Sequence, residues 1–134
     1  MDKNLDILAF GAHPDDIELG CGGTIIKEIH SGKSVGIIDL TRGELGTRGT
    51  PEIRDQESAS AAEVMGVKIR ENLGFKDGFF QNDEEHQLEV IKIIRKELKP
   101  KSFKLWRIRV NGRTRKHEKK RVNSEKSFKF QNYL

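Results

Sequence analysis

Leu5-Asp6-Ile7-Leu8-Ala9-Phe10-Gly11-Ala12 is a short, mostly apolar run that closes on small residues. A run of this kind, bounded by turn signals, is the pattern of a buried strand. Working outward, Ile17, Leu19, Ile25, Ile26 and Ile29 recur at broadly helical spacing and stop at Ser31-Gly32. Val35-Gly36-Ile37-Ile38-Asp39-Leu40 is a second apolar run, and residues 41–50, rich in Gly, Thr and charge, read as a loop. Pro51 suits a helix start, Glu52, Asp55 and Glu57 favour the positive end of its dipole, and Gly66 is a natural stop. Residues 67–73 begin with the alternation of an exposed edge strand, and residues 74–82 form a loop carrying Phe75, Phe79 and Phe80. Residues 83–98 predict a helix with Leu88, Val90, Ile91, Ile94 and Leu98 on its buried side. Strand and helix in alternation predict an α/β fold: a Rossmann-like parallel sheet with flanking helices. Ligands of such sheets bind at the C-terminal ends of the strands, so chemistry is expected at Gly11-Ala12-His13-Pro14-Asp15-Asp16.

The 134 residues fit one domain, and their net charge of +4 conceals a division. Residues 1–100 hold 13 Lys+Arg against 19 Asp+Glu, a net −6; residues 101–134 hold 12 against 2, a net +10. Of 13 glycines, 12 precede position 100. Two units are therefore expected, residues 1–100 as a folded α/β unit and residues 101–134 as a basic tail foreign to it. No stretch approaches the roughly 18 apolar residues of a membrane span, and no secretory leader is evident, so the expected location is the cytoplasm. Cys21, alone, builds neither an internal disulfide nor a cysteine-based zinc cage.

His13 and Asp16 bring an imidazole nitrogen and a carboxylate oxygen, both good zinc ligands, to one turn. Pro14 fixes its own φ and biases His13 towards extended backbone. Asp15, turned towards a water, suits a general base; with Glu18 three residues on, it equally suits a helix-capping pair. Gly20, Gly22 and Gly23 follow, and their expected value is close backbone approach, since each costs about 0.8–1 kcal/mol against Ala inside a helix. From the residues alone this is a candidate metal site and no more.

Ala12-His13-Pro14-Asp15-Asp16-Ile17-Glu18-Leu19-Gly20-Cys21-Gly22-Gly23-Thr24 resembles the signature of the LmbE-like (PIG-L) zinc N-deacetylases. The likeness continues through residues 39–54, Arg70-Glu71-Asn72-Leu73 and Asp77-Gly78-Phe79-Phe80, covering about residues 4–100. Within the family, the longer set most resembles the deacetylases of bacillithiol biosynthesis, which act on N-acetylglucosaminyl malate. The resemblance implies metal-dependent hydrolysis of the N-acetyl group of a small sugar conjugate. It implies His13 and Asp16 as zinc ligands, Asp15 as general base and Arg54 at the substrate side, where malate carboxylates offer a bidentate partner. Arg42, Glu44 and Arg48 lie on the adjacent loop and are expected to shape the sugar pocket. Family members are often homo-oligomers; the sequence assigns no number of subunits.

The family takes its third zinc ligand from a His-x-Asp-His segment beyond the fourth strand, and this sequence has none: the region reads Val110-Asn111-Gly112-Arg113-Thr114-Arg115-Lys116-His117. His117 stands among cations and reads as a solvated residue; His30 and His86 read as surface histidines near helix ends. The expectation is a frameshifted or truncated family member, its sheet incomplete at the C-terminal side, that binds zinc poorly and turns over little or no substrate. The rival reading is a non-catalytic fragment whose tail binds nucleic acid. Residues 103–110 partly alternate as a fourth strand, residues 113–121 are a cationic run, and Phe128, Phe130 and Tyr133 are interleaved with lysines. Basic residues with aromatics bind single strands by charge neutralisation and stacking. The low hydrophobicity and high charge favour a disordered extension without that role.

Overall fold

The computed structural model describes residues 5–97 and 105–107. Its elements alternate without exception: β1 (Ile7–Gly11), α1 (Asp16–His30), β2 (Val35–Thr41), α2 (Pro51–Met65), β3 (Ile69–Phe75), α3 (Glu84–Glu97) and β4 (Leu105–Arg107). The described strands form one parallel sheet in the order β3-β2-β1-β4. The sheet therefore reverses its winding beside β1, the place where ligands of doubly wound sheets bind. The three residues of β4 lie beyond Pro100 and pair with Leu8, Ala9 and Phe10. The rest of the tail, with His117, the cationic run at 113–121 and Phe128, Phe130 and Tyr133, lies outside the described residues, as does Leu98.

Both faces of the sheet are covered, which is why β1 and β2 read as continuous apolar runs rather than alternating ones. On one face Ile7, Ala9, Val35 and Ile37 pack with Ile17 and Ile25 of α1 and Met65 of α2. On the other, Leu8 and Ile38 pack with Leu5, and Ile93 and Ile94 of α3 close over them. Each fully buried aliphatic side chain contributes about 1.5–3 kcal/mol, so these two layers hold the strand ends in register. α2 starts and stops as its sequence dictates. Thr50 Oγ1 accepts from Ile53 N at 3.3 Å, Pro51 occupies the first turn, and Gly66 ends the helix in the left-handed region at φ 78°.

Several local expectations fail. Leu19 is 83% exposed and Leu88 47% exposed, so neither belongs to a core face. α1 kinks at Cys21 (φ −151°, ψ 20°), inside the glycine cluster, so helical periodicity does not run through it. At Gly22 and Gly23 the close approach expected of the cluster is not made to any protein atom. A Cβ on Gly22 would sit 3.9 Å from Met65 Cε, and one on Gly23 would meet nothing within 4 Å. The cluster instead coincides with the kink, a place where low helix propensity is tolerated. Close approach occurs at Gly11, where a Cβ would meet Asp16 Cβ at 3.2 Å and Ile17 Cγ1 at 3.3 Å. That is what lets α1 begin hard against the end of β1.

Candidate functional site

His13, Pro14 and Asp15, with Ala12 before them, form the whole connection between β1 and α1. The turn is tied by its own groups: His13 N donates to Asp16 Oδ2 at 2.8 Å, and Asp15 N donates to His13 O at 2.9 Å. Thr41, at the end of β2, fastens it from the side. Its N and Oγ1 both donate to Ala12 O, at 3.0 and 2.8 Å, and its own carbonyl accepts from Asn72 Nδ2 at 2.7 Å. The C-terminal ends of three strands are thus joined around one histidine.

The His13 ring is half-buried between two carboxylates. Nε2 bonds Asp77 Oδ1 at 2.8 Å, and Nδ1 stands 3.6 Å from Asp16 Oδ2. The Asp16 carboxylate raises the ring most; burial opposes it, Asp77 reinforces it, and the pKa reaches about 9. Burial pushes Asp16 upward, but the His13 ring and the backbone N–H groups of His13 and Ala12 outweigh that and hold its carboxyl below the usual range. The two carboxylates therefore favour the charged, doubly protonated His13 ring.

The donor set fits zinc at that place. A tetrahedral ion with bonds of about 2.0–2.2 Å holds its ligand atoms about 3.3–3.6 Å apart, which matches the Nδ1 to Oδ2 span. Among the described residues no group of three or more His, Cys, Asp or Glu completes a metal cage, so His13 and Asp16 offer two donors of an unfinished set.

Asp15 is exposed and makes no side-chain capping bond to α1, so its carboxylate is not consumed by the helix start. Burial and the neighbouring Asp16 charge raise its pKa, while Arg54 and His13 work against them. Arg54 reaches back from α2 across the β2–α2 loop. A Cβ on Gly46 would stand 2.5 Å from Arg54 Nη2, and one on Gly43 would stand 2.7 Å from Nη1. The two glycines, Gly43 with φ +65°, are the floor on which the guanidinium lies.

The other loop residues are placed differently. Arg42 Nη2 pairs with Asp55 Oδ2 at 2.5 Å and reaches Glu52 Oε1 at 3.6 Å, which ties it to the start of α2. Glu44 Oε1 accepts from Asp77 N at 2.7 Å, and Arg48 is exposed. His30 is exposed at the end of α1. His86 is partly buried: it bonds Asp83 Oδ1 at 2.6 Å and meets Phe75 edge-on at 4.6 Å between ring centres.

Two residues had no role assigned from the sequence. Asp77 is 7% exposed, and its Oδ2 accepts from Leu45 N at 3.2 Å. Its signal was available, since Asp77-Gly78 lies in the family likeness. Arg70 on β3 forks onto Asp39 and also pairs with Glu18 on α1, which binds the helix carrying Asp16 to β2 and β3. It too lies in a matched stretch, but its role depends on a contact made across the sheet.

The sequence profile of PIG-L, GlcNAc-PI de-N-acetylase, matches residues 8–121. A deacetylase of Escherichia coli K12, YaiS, is 40% identical over 75 residues, covering 56% of this chain and 40% of that protein. The diacetylchitobiose deacetylase of Thermococcus kodakarensis is 37% identical over 98 residues, covering 68% of this chain and 37% of that protein. A conserved protein of Thermus thermophilus superposes with a TM-score of 0.65 at 48% identity, covering 69% of this chain and 42% of that one. The chain thus spans about 40% of the length of these relatives. The profile covers more than half of the chain, and the α/β fold with its parallel sheet agrees with the structural likeness: the chain belongs to the PIG-L family of de-N-acetylases.

Proposed function

We propose that this chain carries the zinc-binding turn of an N-deacetylase that removes acetate from an N-acetylglucosaminyl conjugate, with N-acetylglucosaminyl malate of bacillithiol biosynthesis as the substrate. The observation that carries the reading is the pair His13 Nδ1 and Asp16 Oδ2, 3.6 Å apart at the C-terminal end of β1, beside an uncommitted Asp15. Zinc bound there supplies Lewis-acid polarisation of the acetamide carbonyl. Asp15 takes the proton of the attacking water and delivers it to the departing amine, a role for which an upward-shifted carboxyl is suited. Arg54, on its glycine floor, faces the substrate and pairs with a malate carboxylate. The products are acetate and a free amine, and the cytoplasm is the setting this reading implies.

The test measures zinc uptake first and acetate release second, on the full chain. Weak zinc uptake, through the two donors of the unfinished set, is expected in the wild type and is lost in both His13→Ala and Asp16→Ala. Acetate release is expected to be low, because the sequence contains no His-x-Asp-His segment, and to fall by a further factor of about 100 or more in Asp15→Asn. Zinc uptake indifferent to both ligand changes, or acetate release indifferent to a chelator, overturns the reading.

A further inference from the structure

We propose that Asp77 is a positioning residue that fixes which nitrogen of His13 carries the proton, turning the Nδ1 lone pair towards the metal side of the turn. The proposal rests on the metal reading above and follows from the donors that surround one buried carboxylate. Asp77 is 7% exposed, so both of its oxygens need hydrogen-bond donors, and the protein supplies one to each. Oδ2 receives Leu45 N at 3.2 Å, a backbone donor that cannot change its polarity. Oδ1 faces His13 Nε2 at 2.8 Å, and an ionised carboxylate can only accept. The neutral ring therefore satisfies Oδ1 only as the Nε2–H tautomer, and Nδ1 is left as a lone pair on the side of Asp16. Carboxylate, imidazole and metal in that sequence form the arrangement by which outer carboxylates orient ligating histidines.

Asp77 is itself held rigidly. Its N donates to Glu44 Oε1 at 2.7 Å while Leu45 N donates back to its Oδ2, so the β2–α2 loop and the loop after β3 clasp each other in both directions. Glu44 thereby acts on His13 through Asp77. Gly78, at φ +73°, leaves room for the clasp, since a Cβ there would stand 3.1 Å from Leu45 Cδ1.

Asp77→Asn tests the assignment because an amide has one oxygen and one NH₂. The oxygen must go to the Leu45 N–H, which places the NH₂ against Nε2 and drives the ring proton to Nδ1. Histidine 15N shifts of the metal-free full chain, at a pH where the ring is neutral, distinguish the two tautomers; the His13 signals are those lost in His13→Gln. The expected result is Nε2–H in the wild type, Nδ1–H in Asp77→Asn, and zinc affinity about 10–100-fold weaker in the variant by chelator competition. A wild-type ring protonated on Nδ1, or an Asn variant with unchanged tautomer and zinc affinity, overturns the proposal. If the Asn variant does not fold, the wild-type tautomer alone decides. A wild-type chain that shows Nε2–H yet takes up no zinc overturns the metal reading, and the positioning role with it.

Discussion

The guanidinium of Arg70 lies fork-on-fork against the carboxylate of Asp39, Nε to Oδ2 at 2.9 Å and Nη2 to Oδ1 at 3.1 Å. Its Nη1 also serves Glu18 and donates to Ser58 O at 3.1 Å, so one side chain joins β3, β2, α1 and α2. The side chains of Arg70 and Asp39 are 8% and 3% exposed. Burial pushes Asp39 up to about 6 even with Arg70 acting against it. Arg70→Met leaves two carboxylates facing each other with no cation, and is expected to cost about 3–5 kcal/mol in urea unfolding. Adding Asp39→Asn to it should recover part of that loss. A single variant within about 1 kcal/mol of wild type would show the fork to be dispensable.

The alternation of elements, the ends of α2 and the His13–Asp16 turn were legible in the sequence because each rests on neighbours in the chain. Pro51, Gly66 and the apolar run into Gly11 act locally, and the structure keeps them. Leu19 and Leu88 misled because an apolar residue at helical spacing counts as core only if the helix runs straight and is covered. α1 kinks at Cys21, and Leu88 remains 47% exposed. Asp77 and Arg70 lie in stretches that carry the family likeness, but the roles they take were not legible there, because their partners are 64 and 31 positions away along the chain. Glu44 and Arg42 read as pocket residues from their place on the loop, whereas the bonds they make run to Asp77 and to α2.

His13 gives the metal-free chain a defined pH dependence. Its folded pKa of about 9 lies above the ordinary 6.5, so its stabilising contribution is complete below about pH 6.5 and is lost as pH rises through about 9. Asp16, held low, contributes above the ordinary carboxylate range and loses that contribution on acidification. The Tm of the metal-free chain should therefore decline from about pH 6.5 to about 9, with a flatter profile in His13→Gln. Added zinc competes with the Nδ1 proton, so its stabilising increment should grow over the same interval. An increment independent of pH would mean that zinc binds elsewhere.

The termini of α2 set the position of Arg54, which lies in the first turn of that helix. Thr50→Ala removes the acceptor for Ile53 N and should cost about 0.5–2 kcal/mol by chemical denaturation. Gly66→Ala forces a Cβ into the left-handed region at φ 78° and should cost about 1 kcal/mol. Because the cap lies in the turn just before Arg54, Thr50→Ala should also loosen the guanidinium, whereas Gly66→Ala should leave it in place. NMR line widths of the Arg54 side chain separate the two cases.

Arg54 and Asp15 are coupled through space, and the loop glycines control the coupling. The Arg54 charge lowers Asp15 against the upward push of burial and Asp16, so Arg54→Gln should raise the Asp15 pKa further. Gly46→Ala places a Cβ 2.5 Å from the present position of Arg54 Nη2, and the flexible end of that side chain must move away. The Ala variant should therefore shift Asp15 in the same direction as Arg54→Gln while costing about 1 kcal/mol of stability or less. Carboxyl 13C titration of Asp15 in the three chains reads this directly. An unmoved Asp15 in Gly46→Ala, beside a raised one in Arg54→Gln, would show that the guanidinium keeps its place without the glycine floor.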